Sequence, residues 1–173
     1  MKKIWMLATL MLFLCGCGAQ ETFETLGQVE QTPVQAAPWQ IMFDLPEDAG
    51  SPVMESPDSG KLYMCKDYSV MVQTLPGGDL NETFLQCTGF PVSGLQIMQT
   101  KENAIKRYDT VWAATAEDGD RVGRIAVLDD GSYHYVLTVM ADAEKAGSLT
   151  DSWQTLFRSL HIEDPKTIVN TGS

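Results

Sequence analysis
The chain has 173 residues, with 12 basic against 23 acidic ones and a formal net charge of −11. So acidic a chain lacks the basic footprint needed for nucleic acid or for an electrostatic hold on anionic lipid, and both are excluded. Its length suits one domain with its own hydrophobic core.

The chain opens Met1-Lys2-Lys3, runs apolar from Ile4 to Leu14, and then reads Leu14-Cys15-Gly16-Cys17-Gly18. A positive start and an apolar core of this length describe a secretory signal. The run is well short of the ~20 residues of a membrane-spanning helix. Leu14, Gly16, Cys17 and Gly18 resemble the lipobox of bacterial lipoproteins. That resemblance implies diacylglycerol on the Cys17 thiol, cleavage between Gly16 and Cys17, and an acylated amine. Cys15 fits worse, because bulky Leu14 would occupy the small-residue subsite before the cut. The competing reading is an ordinary signal peptide with chance cysteines. On the lipoprotein reading residues 1–16 leave with two of the basic residues, and the net charge falls to −13. Two or three acyl chains, at about 0.8 kcal/mol per buried CH₂, then hold the chain on the outer face of a membrane.

Once Cys15 is lost and Cys17 acylated, Cys65 and Cys87 remain. An even pair in an exported protein reads as a disulfide. It would close a loop of about 23 residues and contribute on the order of 3 kcal/mol. Two reduced thiols acting as small apolar groups are the alternative, and both stay open at this point.

Residues 17–38 comprise the lipidated cysteine and a Gln-, Thr-, Glu- and Pro-rich stretch without a sustained period, which reads as a flexible tether. Fully extended, it could reach about 70 Å. Folded structure is expected over 39–162, starting with an alternating strand from Trp39 to Leu45 that stops at Pro46. Residues 46–60 are dense in breakers and read as a loop, and Lys61 to Leu75 as a hairpin turning at Lys66-Asp67. Asp79 followed by Glu82 marks a helix start, Leu80, Phe84 and Cys87 share its apolar face, and Gly89 before Pro91 ends it. Tyr63 and Cys65 share one strand face, so a bridge from sheet to helix is geometrically reasonable.

Strands follow near 95–99, 104–116, 121–129 and 132–141, joined by Glu117-Asp118-Gly119-Asp120 and Asp130-Gly131. Such short turns indicate an antiparallel meander. The last element is a helix capped by Ser148 or Asp151, with Leu149, Trp153, Leu156, Phe157 and Leu160 forming one stripe that must bury itself on the sheet. Residues 163–173 read as a polar tail.

Strand, hairpin, helix, meander and C-terminal helix, in this order, resemble the PsbP/Mog1-like fold. Phe43-Asp44-Leu45-Pro46 and the Trp153–Ile162 helix sit where that fold has comparable pieces. The resemblance implies an α+β domain, an antiparallel sheet packed by helices as an α/β/α sandwich. It also implies a binding or assembly role more than an enzymatic one, and carries over no site residue.

Chemistry-bearing residues are sparse. His134 lies mid-strand, and His161 falls at the expected end of the last helix, where the dipole accounts for it. No His/Cys spacing supplies the three or four ligands of zinc, and neither acidic turn alone supplies the six to eight oxygens of calcium. Ser93 and Ser132 lack the context of a hydrolase nucleophile. No catalytic residue, metal or cofactor is therefore assigned. Tyr133 and Tyr135 share a strand face; they form a binding surface if that face lacks a covering helix, and otherwise pack across strands. The expected role is a non-enzymatic, lipid-anchored module that binds an envelope protein or a small ligand. The alternatives are an envelope enzyme or enzyme accessory, or a structural surface protein.

Overall fold
The computed structural model describes residues 37–57 and 60–164. Cys17, the signal segment 1–16, residues 17–36 of the expected tether and 165–173 of the expected tail lie outside them. The central strand explains the layering. In Tyr133–Asp142, six successive residues from His134 to Val139 are buried. A strand buried on both faces reads as a continuous apolar run, and it needs a cover above and below.

Its neighbours supply a sheet antiparallel throughout. The strands are β1 (Gln40–Met42), β2 (Met54–Ser56), β3 (Gly60–Met64), β4 (Tyr68–Pro76), β5 (Met98–Glu102), β6 (Ile105–Ala116), β7 (Gly119–Asp129), β8 (Tyr133–Asp142) and β9 (His161–Glu163). Seven of them form one sheet in the order β2-β3-β4-β8-β7-β6-β5, while β1 and β9 pair separately as a two-stranded ribbon. The helices are α1 (Leu80–Thr88), the short α2 (Ala143–Ala146) and α3 (Thr150–Ser159). The expected α+β architecture holds, with helical cover on both faces of the sheet.

Alternation sorts the side chains. Val70, Val72, Leu137 and Val139 face the stripe Leu149, Trp153, Leu156, Phe157 and Leu160, and every residue of that stripe is buried. Each such side chain contributes about 1.5–3 kcal/mol when removed from water. On the opposite face Leu75, Ile125, Val127 and Val136 pack against fully buried Phe84 of α1. Helix α1 forms as its sequence dictates. The Asp79 side chain accepts from the Asn81 amide at 2.8 Å, and Gly89 (φ 80°) closes the helix in the left-handed region.

The fold corrects several sequence expectations. Cys65 belongs to the core under α3, whereas Cys87 packs against the core under α1, so the sheet lies between them. Both are free thiols, and the sheet-to-helix bridge is not formed. The breaker-rich 46–60 segment contains edge strand β2, and the strand placed near 95–99 starts at Met98 instead, after a single 3-10 turn at Val92–Gly94. Helix α3 begins from α2 and a 3-10 turn without a side-chain cap: Ser148 Oγ donates to the Lys145 carbonyl instead. The helix also ends at Ser159, so His161 lies in β9, bonded to the Ser159 carbonyl at 2.7 Å and to Glu163 at 3.0 Å. Its imidazole still meets the end of the helix, since the Ser159 carbonyl is the last of α3.

Gly123 on β7 stands directly opposite Trp112 on β6, and a Cβ built on it would lie 2.3 Å from the indole ring. Gly123→Ala is therefore expected to cost about 1–3 kcal/mol through overpacking. Urea unfolding measures this; an unchanged midpoint would mean that the ring does not lie across Gly123.

Candidate functional site
The turn between β7 and β8 sets the site. Asp129 Oδ1 accepts from the Gly131 amide at 2.7 Å, and Gly131 sits at φ 89°. Asp130 Oδ1 accepts from the amides of Ser132 (2.8 Å) and Tyr133 (2.7 Å). These carboxylates are engaged in ordinary Asx-turn chemistry. The second oxygen of Asp130 reaches further and accepts from the Tyr135 hydroxyl at 2.7 Å, while that hydroxyl accepts from the Trp39 amide at 2.9 Å. Trp39 lies 96 residues away in sequence. The chain Asp130–Tyr135–Trp39 thus pins the entry of the ribbon β1–β9 to the sheet.

Tyr135 is consequently fully buried, and Tyr133 is half-buried with its ring tilted against it at 6.2 Å. The two do not form an open binding surface. They face the α3 side, where helix and ribbon cover the sheet. Burial pushes the Tyr135 phenol well above its ordinary value, so it stays a protonated donor to Asp130.

The ribbon does not cover its face completely. It leaves two clefts that share Trp39 as a wall. One, of about 480 Å³, lies between Trp39, Ile41 and Phe43 on one side and the β2–β4 edge, with Glu55, Lys61 and Tyr63, on the other. The second, of about 400 Å³, is lined by apolar Trp39, Ile105, Leu128, Leu160 and Ile162, with Thr100, Glu102, Asn103, Arg107 and His161 as its polar members. A concave, mostly apolar pocket with a few placed polar groups is the usual form of a ligand site.

Arg107 is held rigidly in that second cleft. Its Nε and Nη2 donate to the two oxygens of Asp109 at 2.7 and 3.0 Å, and Nη2 also donates to the Phe157 carbonyl at 2.9 Å. Arg124 approaches the same carboxylate at 3.4 Å, with its guanidinium 4.2 Å above the Phe157 ring. Two guanidinium groups thus share one buried carboxylate. Neither Asp109 nor Phe157 takes Arg107 Nη1. His161 stands at the rim, its pKa raised by the Ser159 carbonyl and by Glu163.

His134 points away from both clefts. Under α1 its Nδ1 shares a 2.7 Å hydrogen bond with the buried Thr83 hydroxyl, tying helix to sheet. Among the described residues, no group of three or more His, Cys, Asp or Glu side chains is placed to hold a metal ion. Sequence reasoning missed the Trp39 clefts because their walls come from three distant segments. The one local signal was the Trp-x-Ile-x-Phe alternation from Trp39, which exposes one edge of large apolar side chains.

Solved structures similar to this chain include the cyanobacterial PsbP of Synechocystis sp. PCC 6803, with 13% identity over 76% of this chain and 96% of that one and a TM-score of 0.52. The Ran-binding protein Mog1p of Saccharomyces cerevisiae is 14% identical over 73% of this chain and 92% of its own, with a TM-score of 0.50. LpqN of Mycobacterium tuberculosis, described as involved in cell envelope biogenesis, is 14% identical over 73% and 86%, with a TM-score of 0.49. No family model and no curated protein sequence matches the chain. The chain has the PsbP/Mog1-like α+β fold, and at these identities the likeness carries the fold alone.

Two outcomes follow from this geometry. Tyr135→Phe removes the link to Asp130 and leaves the Trp39 amide without its acceptor. It is expected to destabilise the fold by about 1–3 kcal/mol and to red-shift tryptophan emission as Trp39 gains water; unchanged stability and emission would contradict the anchor. Burial holds His134 below its ordinary 6.5, against the pull of Asp129 and Asp130. A base with a depressed folded pKa contributes stability above 6.5 that is lost as pH falls through it. His161 works in the opposite sense but is largely exposed, so its contribution is screened. Unfolding midpoints are therefore expected to drop between about pH 7 and pH 5, and His134→Gln to flatten that drop.

Proposed function
We propose that this chain is a lipid-anchored protein of the cell envelope that works by binding rather than by catalysis. In this reading Cys17 carries the lipid, residues 18–38 space the domain from the membrane, and the domain takes an apolar group of an envelope protein or a small ligand beside Trp39. The observation that carries it is the apolar cleft walled by Trp39, Ile105, Leu160 and Ile162, with rigid Arg107 inside it. An occupant suited to this cleft is an apolar group ending in a hydrogen-bond acceptor that Arg107 Nη1 engages.

The signal-like start and the acidity of the whole chain support the lipid as the hold on the membrane, since the surface lacks the polybasic character that would replace it. No helix among the described residues is long and apolar enough to cross a membrane.

Capture from detergent-solubilised membranes tests the binding reading. Full-length protein is expected to retain a reproducible partner or ligand. Ile105→Asp, which charges the cleft wall, is expected to weaken that capture about tenfold or more without loss of the folded state. Equal capture by both proteins, or none by either, would contradict the reading. For the anchor, metabolic fatty-acid labelling is expected on the wild type and absent from Cys17→Ser. Continued labelling of that variant would move the lipid elsewhere.

A further inference from the structure
Methionine is distributed in this protein against its usual habit. Methionine is among the residues most often buried, yet the buried core is built from Val, Leu, Ile, Phe, Tyr and Trp with smaller side chains, and none of the six methionines among the described residues is in it. Four of the six (Met54, Met64, Met71 and Met140) lie on one sheet face, the face that α1 covers only in part. The register fixes this. Met54 opposes Leu62, which opposes Met71, which opposes Thr138; Met64 opposes Ser69, which opposes Met140. Alternating neighbours Val70, Val72, Val139 and Ala141 all point into the core under α3, so these methionines point the other way.

Three of them surround one small residue. Met64 and Met140 flank Ser69 on the two adjacent strands, and Met71 stands two residues along from Ser69 on its own strand. Met71 is thus the diagonal neighbour of both. Diagonal pairs lie about 7–8 Å apart, within reach of long side chains. Unbranched methionine has three rotatable bonds with which to lean inward over a serine. Met64 and Met140 are 52% and 44% exposed and line one open hollow of about 350 Å³ with Ser69. Of the charged side chains around that hollow, Arg121 pairs with Asp118 and Asp142 and Lys145 with Asp67, and Lys66 stands beside them. The two carboxylates that line it, Asp67 and Asp142, are thus already engaged by cations.

We propose that Met64, Met71 and Met140 form a thioether site for a soft monovalent cation of the copper(I) class. Neutral thioether sulfur selects such ions over the hard or borderline ions that carboxylate and imidazole prefer. Three neutral ligands around a singly charged ion suit an open, half-apolar surface, where a divalent ion would call for carboxylates. The site is separate from the Trp39 clefts, which lie on the opposite face of the sheet.

Silver(I), a soft and redox-inert probe of this class, tests the site on full-length protein carrying Cys65→Ser and Cys87→Ser in detergent micelles, because the free thiols would otherwise take the silver first. With methyl-labelled methionine, one equivalent is expected to shift the Met64, Met71 and Met140 methyl resonances together and to leave Met42 and Met98 in place. The Met64→Leu/Met71→Leu/Met140→Leu variant keeps volume and apolar character, so it retains any apolar docking while losing the sulfurs. Its silver affinity is expected to fall about tenfold or more. Each single Met→Leu variant, a milder change to the fold, is expected to weaken binding in part. Equal affinity with and without the three methionines in that thiol-free background would assign the metal elsewhere and overturn the proposal. So would shifts confined to other methionines.

Discussion

The carboxylate of Asp130 is the constraint on which the rest depends. One oxygen closes the turn between β7 and β8 by accepting two backbone amides, and the other accepts from the hydroxyl of fully buried Tyr135. That hydroxyl in turn accepts from Trp39, where the chain enters the fold. A charge-assisted hydrogen bond to a buried phenol is among the stronger contributions a single side chain can make. Here it joins the β7–β8 turn and the start of β8 to Trp39, 96 residues away from Tyr135. The same carboxylate therefore fixes the register of the two most buried strands and the seat of the ribbon above them.

From that seat the two faces of the sheet acquire different characters. On the α3 face the ribbon β1–β9 lies beside the helix rather than continuing its cover, and clefts remain on both sides of Trp39. Their apolar walls are side chains that a complete layer would have buried. On the α1 face the helix packs over one half, anchored by Phe84 and by the Thr83–His134 hydrogen bond. The other half carries methionines in solvent. One sheet thus offers an apolar cleft with a fixed guanidinium on one side and a sulfur-bearing surface on the other.

Much of this fold was legible in the sequence. Asp-Gly turns between alternating runs announced β6, β7 and β8; Asp79, Glu82 and Gly89 bounded α1; and the Leu149-to-Leu160 stripe marked the face of α3 that the core requires. Short elements whose existence depends on distant partners were not legible. Strands β2 and β9 are three residues each, too short for a period, whereas β1 is expected from the Trp39–Leu45 alternation and is only shorter. His161–Glu163 reads as helix end and tail until its pairing with Gln40–Met42 is known. Burial on both faces also hid the role of Tyr135, because alternation separates its face from that of His134 without telling which helix covers which. The same ambiguity misled the cysteines: alternation aligned Cys65 with Tyr63 correctly, but could not place α1 on the opposite side of the sheet.

The Trp39 clefts belong to this class of feature, since they exist only when the ribbon is held where Asp130 and Tyr135 hold it. Native-state amide exchange of Trp39 examines that most directly. Its amide stands just ahead of the first strand, where an entering segment would ordinarily exchange freely. If the Tyr135 hydroxyl accepts from it as described, its exchange is slowed to a rate comparable with that of the paired ribbon residue Ile41. Exchange at the rate of an unprotected amide would show that the ribbon is not pinned at Trp39, and the clefts would lose their common wall.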